Sequence, residues 1–323
     1  VKILRVGDPH VTVSNMKEST ALISFVIDKA KEFDVDCVEI LGDLFDTHSV
    51  IRSEVLDFWD MAFKILEMEG ISTRVMIGNH DQIGDKEREQ SLNALNVFCN
   101  KYKFVNILNA TQVIDGIIYI PHTSDPELFL ERAKKGGKLL IAHQTFIGAE
   151  YESGFPAEDG IDIDSVPQEA IISGHIHKSQ QIGKVFYPGA PRWLKSTDAD
   201  TDKGIWLFEH NKENPAIYIK EFISTKEVVT PIVKIVFKEG EEEPTLPDNA
   251  KVALELIGES SWIAKMRKKY KGKASIRAVP SDRKASSVDK SKLVDIEQFL
   301  AGYVKPNDSF GVQDVIEYIR GVS

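Results

Sequence analysis

Apolar residues recur along this chain with two periods, and the switching between them predicts its elements. Continuous apolar runs at 1–6, 37–41, 74–77, 117–120 and 139–142, and another ending at Ile172, read as buried strands. Between them Leu22, Phe25, Val26, Ala30 and Phe33 fall at helical spacing over 19–33, and Val55, Phe58, Ala62 and Leu66 over 53–69, with Gly70 as a stop signal. Strand, helix, strand, helix, strand implies a largely parallel sheet with helices on its faces. Such sheets take ligands beyond the carboxyl ends of their strands. Further on, the pattern predicts a third helix over 87–102 and another over 126–135, with Pro126 in its first turn. Residues 148–167, acidic and Gly-containing, read as a loop over the site rather than core. Residues 183–187 and 204–210 look like antiparallel strands flanking Pro188-Gly189-Ala190-Pro191.

From about 228 the texture changes. Strands over 232–237, 251–256 and 274–279 and a helix over 260–270 suggest a small α/β cap, locally basic through Lys265, Arg267, Lys268, Lys269, Lys271, Lys273 and Arg277. A polar linker over 280–292 precedes two short amphipathic helices over 293–303 and 312–320. The expected organisation is a first domain over 1–227, a capping domain over 228–280, and a linker with C-terminal helices over 281–323.

The polar residues that end the strands carry the chemistry. The first run leads into Gly7-Asp8-Pro9-His10, the second into Gly42-Asp43-Leu44-Phe45-Asp46, the third into Gly78-Asn79-His80-Asp81, the fifth into His143, and the last into Gly174-His175-Ile176-His177. Residues two apart in an extended stretch point the same way, so His175 and His177 can reach one point. Carboxylate, amide and imidazole without thiolate suit a hard or borderline divalent cation such as Mn²⁺. Seven ligands are too many for one ion and enough for two sharing a carboxylate, about 3.5 to 4 Å apart. Such a pair hydrolyses phosphoesters.

Composition narrows the setting. The chain has 323 residues, 42% hydrophobic and 28% charged, and no apolar run long enough to span a membrane. A strand-like start leads to the expectation of no signal or transit segment. Cys37 and Cys99, both in apolar contexts, fit buried thiols in a reducing cytoplasm. The formal charge of −10 argues against indiscriminate nucleic-acid binding, although a local basic patch can still bind DNA.

Taken in order, Asp-x-His, Gly-Asp-x-x-Asp, Gly-Asn-His-Asp, a strand-end His and Gly-His-x-His resemble the calcineurin-like metallophosphoesterases. Residues 42–47, 174–178 and 187–191 are similar to SbcD-type DNA double-strand-break repair nucleases, and the modest length to a phage-encoded recombination endonuclease subunit. The likeness covers positions 1–210. It implies an α/β fold, a β-sandwich flanked by helices, with a small α/β capping domain and a C-terminal helical tail. It further implies two Mn²⁺, with Mg²⁺ as a substitute: Asp8, His10 and His177 on one, Asn79, His143 and His175 on the other, Asp43 bridging. His80 would stand beside the scissile phosphate and protonate the leaving oxygen, with Asp81 orienting it.

The implied partners are DNA, contacted through Lys265, Lys268, Lys269 and Lys271, and an SbcC-type SMC-like ATPase gripped by the C-terminal helices. A homodimer, no membrane and a cytoplasmic setting (a host's, if phage-encoded) complete the expectation. Two departures stand out: the stretch between His143 and His175 is short, and Ala190 replaces the family's usual serine. His122 fits no ligand position and reads as structural or supporting; His48 and His210 read as surface residues. The competing activity is a phosphatase acting on proteins or small phosphoesters. Protein phosphatases of the superfamily carry Asp-Arg-Gly where this chain has Asp46-Thr47-His48.

Overall fold

The computed structural model describes residues 1–47, 50–83, 92–199 and 201–282. The apolar runs build two six-stranded sheets. The first has the order Tyr218–Ser224, Gly204–His210, Lys2–Val6, Cys37–Ile40, Thr73–Met76, Val105–Leu108; the last four are parallel and the first two antiparallel. The second runs Gln180–Ile182, Val185–Tyr187, Ala170–Gly174, Leu139–His143, Ile117–Ile120, Gln112–Ile114, parallel except at its two outer strands. The β-sandwich that the family likeness implied is present, and the one parallel sheet suggested by the strand–helix alternation alone is replaced by two. Residues 183–187 and 204–210 likewise belong to different sheets.

The strands read as unbroken apolar runs because both faces are covered. Leu4, Val6, Val38 and Ile40 pack in the core that includes Val26 of the helix Met16–Glu32 and Trp59 of the helix Ser53–Met68. Their neighbours Ile3, Cys37 and Leu41 turn the other way, into a core with Leu139, Ile141 and Ile172 of the second sheet. Leu140 and Ala142 face a third core with Phe129 of the helix Pro126–Ala133. The order is helix, sheet, sheet, helix. Each such side chain withdrawn from water contributes about 1.5 to 3 kcal/mol.

Where period and outcome differ, the cause is local. Of the helix expected over 87–102, residues 87–91 lie outside the described part. The remainder is a short strand Leu92–Asn93 and a 3-10 turn Ala94–Phe98, in which buried Leu95 and Phe98 satisfy a three-residue period as well as a helical one. The segment 148–167 has no regular element beyond the 3-10 turn Ile163–Ser165, yet Ala149, Ala157, Ile161 and Val166 are buried in the third core, so it is core as well as loop. Cys37 is buried and Cys99 half-buried, and both are free thiols.

A polar network crosses between the sheets. Arg5 Nε donates to Glu39 Oε2 at 2.8 Å, the Tyr119 hydroxyl donates to Glu39 Oε1 at 2.5 Å, and Arg74 Nη1 reaches Glu39 Oε1 at 3.1 Å. Burial alone would raise the Glu39 carboxyl, but the two guanidinium charges outweigh it and hold its pKa below the ordinary carboxylate value. His210, expected at the surface, belongs to this network and is 4% exposed. Its Nε2 lies 2.7 Å from Arg5 Nη1 and its Nδ1 2.7 Å from Pro215 O, which selects the Nδ1–H tautomer, with Nε2 accepting from the arginine. His48 is outside the described residues.

The contacts divide the chain into two compact units. Among the described residues the second comprises Val236–Glu243, Glu255–Lys271 and 276–282. The strands Ile232–Lys238, Lys251–Gly258 and Ser275–Pro280 form a three-stranded sheet. On the helix Ser260–Lys269, Ile263 and Met266 are buried, and the Trp262 ring meets Phe237 with centroids 5.1 Å apart. Lys265, Lys268 and Lys271 are exposed, whereas Lys269 is paired with Glu243. The helices expected over 293–303 and 312–320 lie outside the described residues.

Burial, then the Arg5 charge, pushes the pKa of His210 down to about 3. Below pH 6.5 the unfolded chain therefore takes up a proton that the folded chain refuses, and stability falls as pH drops towards that value. His210→Gln should remove this contribution, making the fall shallower by about 1.4 kcal/mol per pH unit at most. Denaturant midpoints at pH 7, 6 and 5 check this; parallel profiles for the two proteins would refute it.

Candidate metal centre

The site is built from strand ends. Asp8 and His10 follow Lys2–Val6, Asp43 follows Cys37–Ile40, Asn79 opens the 3-10 turn Asn79–Asp81, His143 ends Leu139–His143, and His175 and His177 follow Ala170–Gly174. These ends approach so closely that only glycine fits between them. A Cβ on Gly78 would stand 2.2 Å from Asp43 Oδ1, and one on Gly174 2.5 Å from Leu41 O. That is the physical content of the Gly-Asn and Gly-His pairs. The backbone bends sharply as well: His10 (φ 43°), Asp43 (φ 51°) and His175 (φ 86°) all lie in the left-handed region. A non-glycine residue held there costs about 1 to 3 kcal/mol.

Two clusters result, and they share a residue. Asp8, His10, Asp43 and His177 offer ligand atoms all within 4.8 Å of one another, as do Asp43, His143 and His175. Asn79 completes the second: its Oδ1 lies 3.0 Å from His143 Nε2 and 2.7 Å from His175 Nδ1. His143 Nδ1 donates to Leu41 O at 2.7 Å, which turns Nε2 towards Asp43 Oδ2 at 3.3 Å. His10 Nε2 and His177 Nε2 are 3.0 Å apart.

Burial, reinforced by neighbouring imidazoles, pushes His10 and His175 down to about 3, so both present neutral rings with lone pairs. Burial would also lower His143, but the carboxylates of Asp43 and Asp8 hold it up at about 9. Burial would raise Asp43, yet His143 and its hydrogen bond keep it well below the usual range; Asp8, fully buried, is raised.

This donor set fits a pair of divalent cations. Asp8 Oδ2 is buried and has no hydrogen-bond partner among the described residues, an arrangement a protein interior tolerates poorly without a ligand, and His10 turns its Nε2 towards Asp43 Oδ2 at 3.5 Å. Oxygen and imidazole without sulfur is the combination that magnesium-like and manganese-like ions accept. The calcineurin-like phosphoesterase family model matches residues 1–179, more than half of the chain and every member of the two clusters. The chain belongs to the calcineurin-like phosphoesterase family. It is therefore a hydrolase of phosphoester bonds, and its family uses divalent metals.

Relatives of this phosphoesterase include viral proteins. It is 27% identical over 255 residues to "Putative phosphoesterase 244L" of Invertebrate iridescent virus 6, spanning 72% of this chain and 86% of that one. It is 26% identical over 208 residues to "Putative phosphoesterase 078R" of Invertebrate iridescent virus 3, 59% of this chain and 57% of that one. To "Exonuclease subunit 1" of Enterobacteria phage T4 it is 24% identical over 226 residues, 66% of each chain.

Other residues of the phosphoesterase site are placed less simply. His80 lies against His10 with ring centroids 4.9 Å apart, and its Nδ1 meets Asp46 O at 2.7 Å. Asp81, which the sequence reading had orienting His80, instead accepts from Gly78 N at 2.9 Å and Phe45 N at 3.1 Å, tying two strand ends together. His122 supports the site from outside, its Nδ1 at 3.1 Å from His143 O and its ring stacked 6.0 Å from His175. Sequence reasoning missed Glu152, whose Oε1 accepts from His177 N at 2.8 Å and lies 3.8 Å from His177 Nδ1. Only the acidic character of its loop hinted at it.

Gly78 has φ −96° and ψ 179°, which any residue adopts, so Gly78→Ala isolates the close approach. The added methyl should displace Asp43 and abolish saturable Mn²⁺ binding in calorimetry; wild-type binding would contradict it. Carboxylates that orient a ligating histidine are worth about 10- to 100-fold in metal affinity. Glu152→Gln should weaken Mn²⁺ binding by that amount, and an unchanged isotherm would remove Glu152 from this role.

Proposed function

We propose that this phosphoesterase is an SbcD-type DNA nuclease, an exonuclease or endonuclease subunit acting in repair, recombination or replication with an SbcC-type, SMC-like ATPase. The observation that carries the two-metal reading is the pair of clusters meeting at Asp43. The choice of DNA leans on the phage relative, which is named as an exonuclease subunit. In this reading Asp8, His10 and His177 hold one Mn²⁺, Asn79, His143 and His175 the other, and Asp43 serves both, with Mg²⁺ as a substitute. Bound there, the ions would polarise phosphoryl oxygens and make water acidic enough to attack at neutral pH.

The protein's own groups do the rest. His80, oriented by Nδ1–H donating to Asp46 O, would act as the imidazolium, passing its second ring proton from Nε2 to the leaving oxygen and becoming the neutral ring. Its backbone N–H donates to Asp43 Oδ1 at 2.8 Å, fixing its position against the shared carboxylate. Exposed Lys265, Lys268 and Lys271 are the proposed DNA contacts of the second unit; Lys269 is engaged by Glu243. The ATPase grip is assigned to 281–323. No described helix is long and apolar enough to cross a membrane, and the reading places the enzyme in a cytoplasm, a host's given its viral relatives.

The deciding assay offers Mn²⁺, Mg²⁺ or chelator with labelled single-stranded, duplex and hairpin DNA, and a phosphomonoester alongside. Selective metal-dependent DNA cleavage is expected; preference for the monoester would favour a phosphatase. His80→Ala should retain Mn²⁺ binding and lower DNA cleavage about 10²- to 10⁴-fold, the usual weight of a proton-transfer group. Turnover at the wild-type rate would reject that role.

A further inference from the structure

Beside the metal centre lies a cleft of about 290 Å³. His10, Asp46, His80 and His177 line one side, and the segment Arg192 to Lys195 lines another. Its cations are not equivalent. Arg192 is 1% exposed, donates to Ser19 Oγ at 2.9 Å and faces Glu18 Oε1 at 3.4 Å. Lys251 shares the same carboxylate, 3.9 Å from Glu18 Oε2. Glu18 thus balances both. Lys195 is exposed, and its ammonium has no hydrogen-bond or ion-pair partner among the described residues.

The main chain of Lys195 is nonetheless held in register with the metal centre. The backbone N–H groups of Leu194 and Lys195 both donate to Asp198 Oδ2, at 2.9 and 2.8 Å. Asp198 Oδ1 accepts from Lys203 Nζ at 2.7 Å, and the same ammonium donates to His177 O at 2.8 Å. Asp198 and Lys203 are 0% and 1% exposed. The buried ion pair thus links the backbone of Lys195 to that of a candidate metal ligand.

We propose that this cleft receives a second phosphate of the substrate, the one flanking the scissile bond, and that Lys195 binds it. A chain with a formal charge of −10 repels a polyanion, so a free cation registered to the reacting centre meets a need that a single-phosphate substrate does not have. The inference rests on the nuclease reading and deepens it: the substrate class is a polynucleotide strand, with a phosphate on either side of each internal bond. Lys195 acts through binding, not through the bond that breaks.

The test compares wild type, Lys195→Ala and Lys195→Arg, loaded with Mn²⁺, on a single-stranded oligodeoxynucleotide and on bis(4-nitrophenyl) phosphate, a diester with one phosphate. Lys195→Ala should raise KM for the oligonucleotide about 10-fold relative to its effect on the small diester, the weight of one charge-assisted hydrogen bond. Its plot of log kcat/KM against log salt should be shallower by about 0.7, one phosphate contact on a single strand. Lys195→Arg should restore most of both. Equal losses on the two substrates, or an unchanged salt slope, would overturn the role of Lys195 while leaving the nuclease reading intact. A wild-type enzyme that hydrolyses the small diester and spares every oligonucleotide would overturn the nuclease reading, and this inference with it.

Discussion

Asp8 and Asp43 place two carboxylates, each no more than 1% exposed, in one cluster, and the surrounding architecture exists to make that tolerable. Isolated buried charges are costly unless they are paired and hydrogen-bonded. Here the hydrogen bonds come from the backbone of neighbouring strand ends: His175 N to Asp8 Oδ1 at 2.8 Å, and His80 N to Asp43 Oδ1 at 2.8 Å. Each donor lies on a loop that also carries a candidate ligand, so the contacts that solvate the carboxylates also position the imidazoles. The glycines at 78 and 174 follow from the same demand, since no side chain fits where the loops meet.

Much of the fold was legible because burial on both faces leaves an unmistakable trace. The runs at 1–6, 37–41, 74–77 and 139–142 are strands for the reason that made them readable: alternate residues serve different cores. What the period could not reveal was the partition of those strands between two sheets, because Ile3 and Leu139 look alike in sequence whether they share a sheet or face each other across one. His210 shows the same limit. Its burial depends on Arg5 and Pro215, which no local pattern connects to it.

The candidate ligands were legible because chemistry and position coincide, with polar residues following apolar runs. Glu152, Asp198 and Lys203 were not, since each acts through backbone atoms of residues distant in the chain or hidden from it by a turn. Asp81 was found but given another task; spacing brought it beside His80, whereas folding brought its oxygens to Gly78 and Phe45. Residues adjacent in sequence exchange roles easily when a tight turn separates their side chains.

The division of the donors between two sheets has a consequence for the life of the chain. Asp8, His10, Asp43 and Asn79 are contributed by the first sheet, and His143, His175 and His177 by the second. Neither set alone closes both clusters, since His177 is needed for one and His143 and His175 for the other. A polypeptide still emerging from the ribosome, or clipped ahead of position 143, thus has neither cluster complete. The paired site closes only when synthesis has passed His177 and the two sheets have docked.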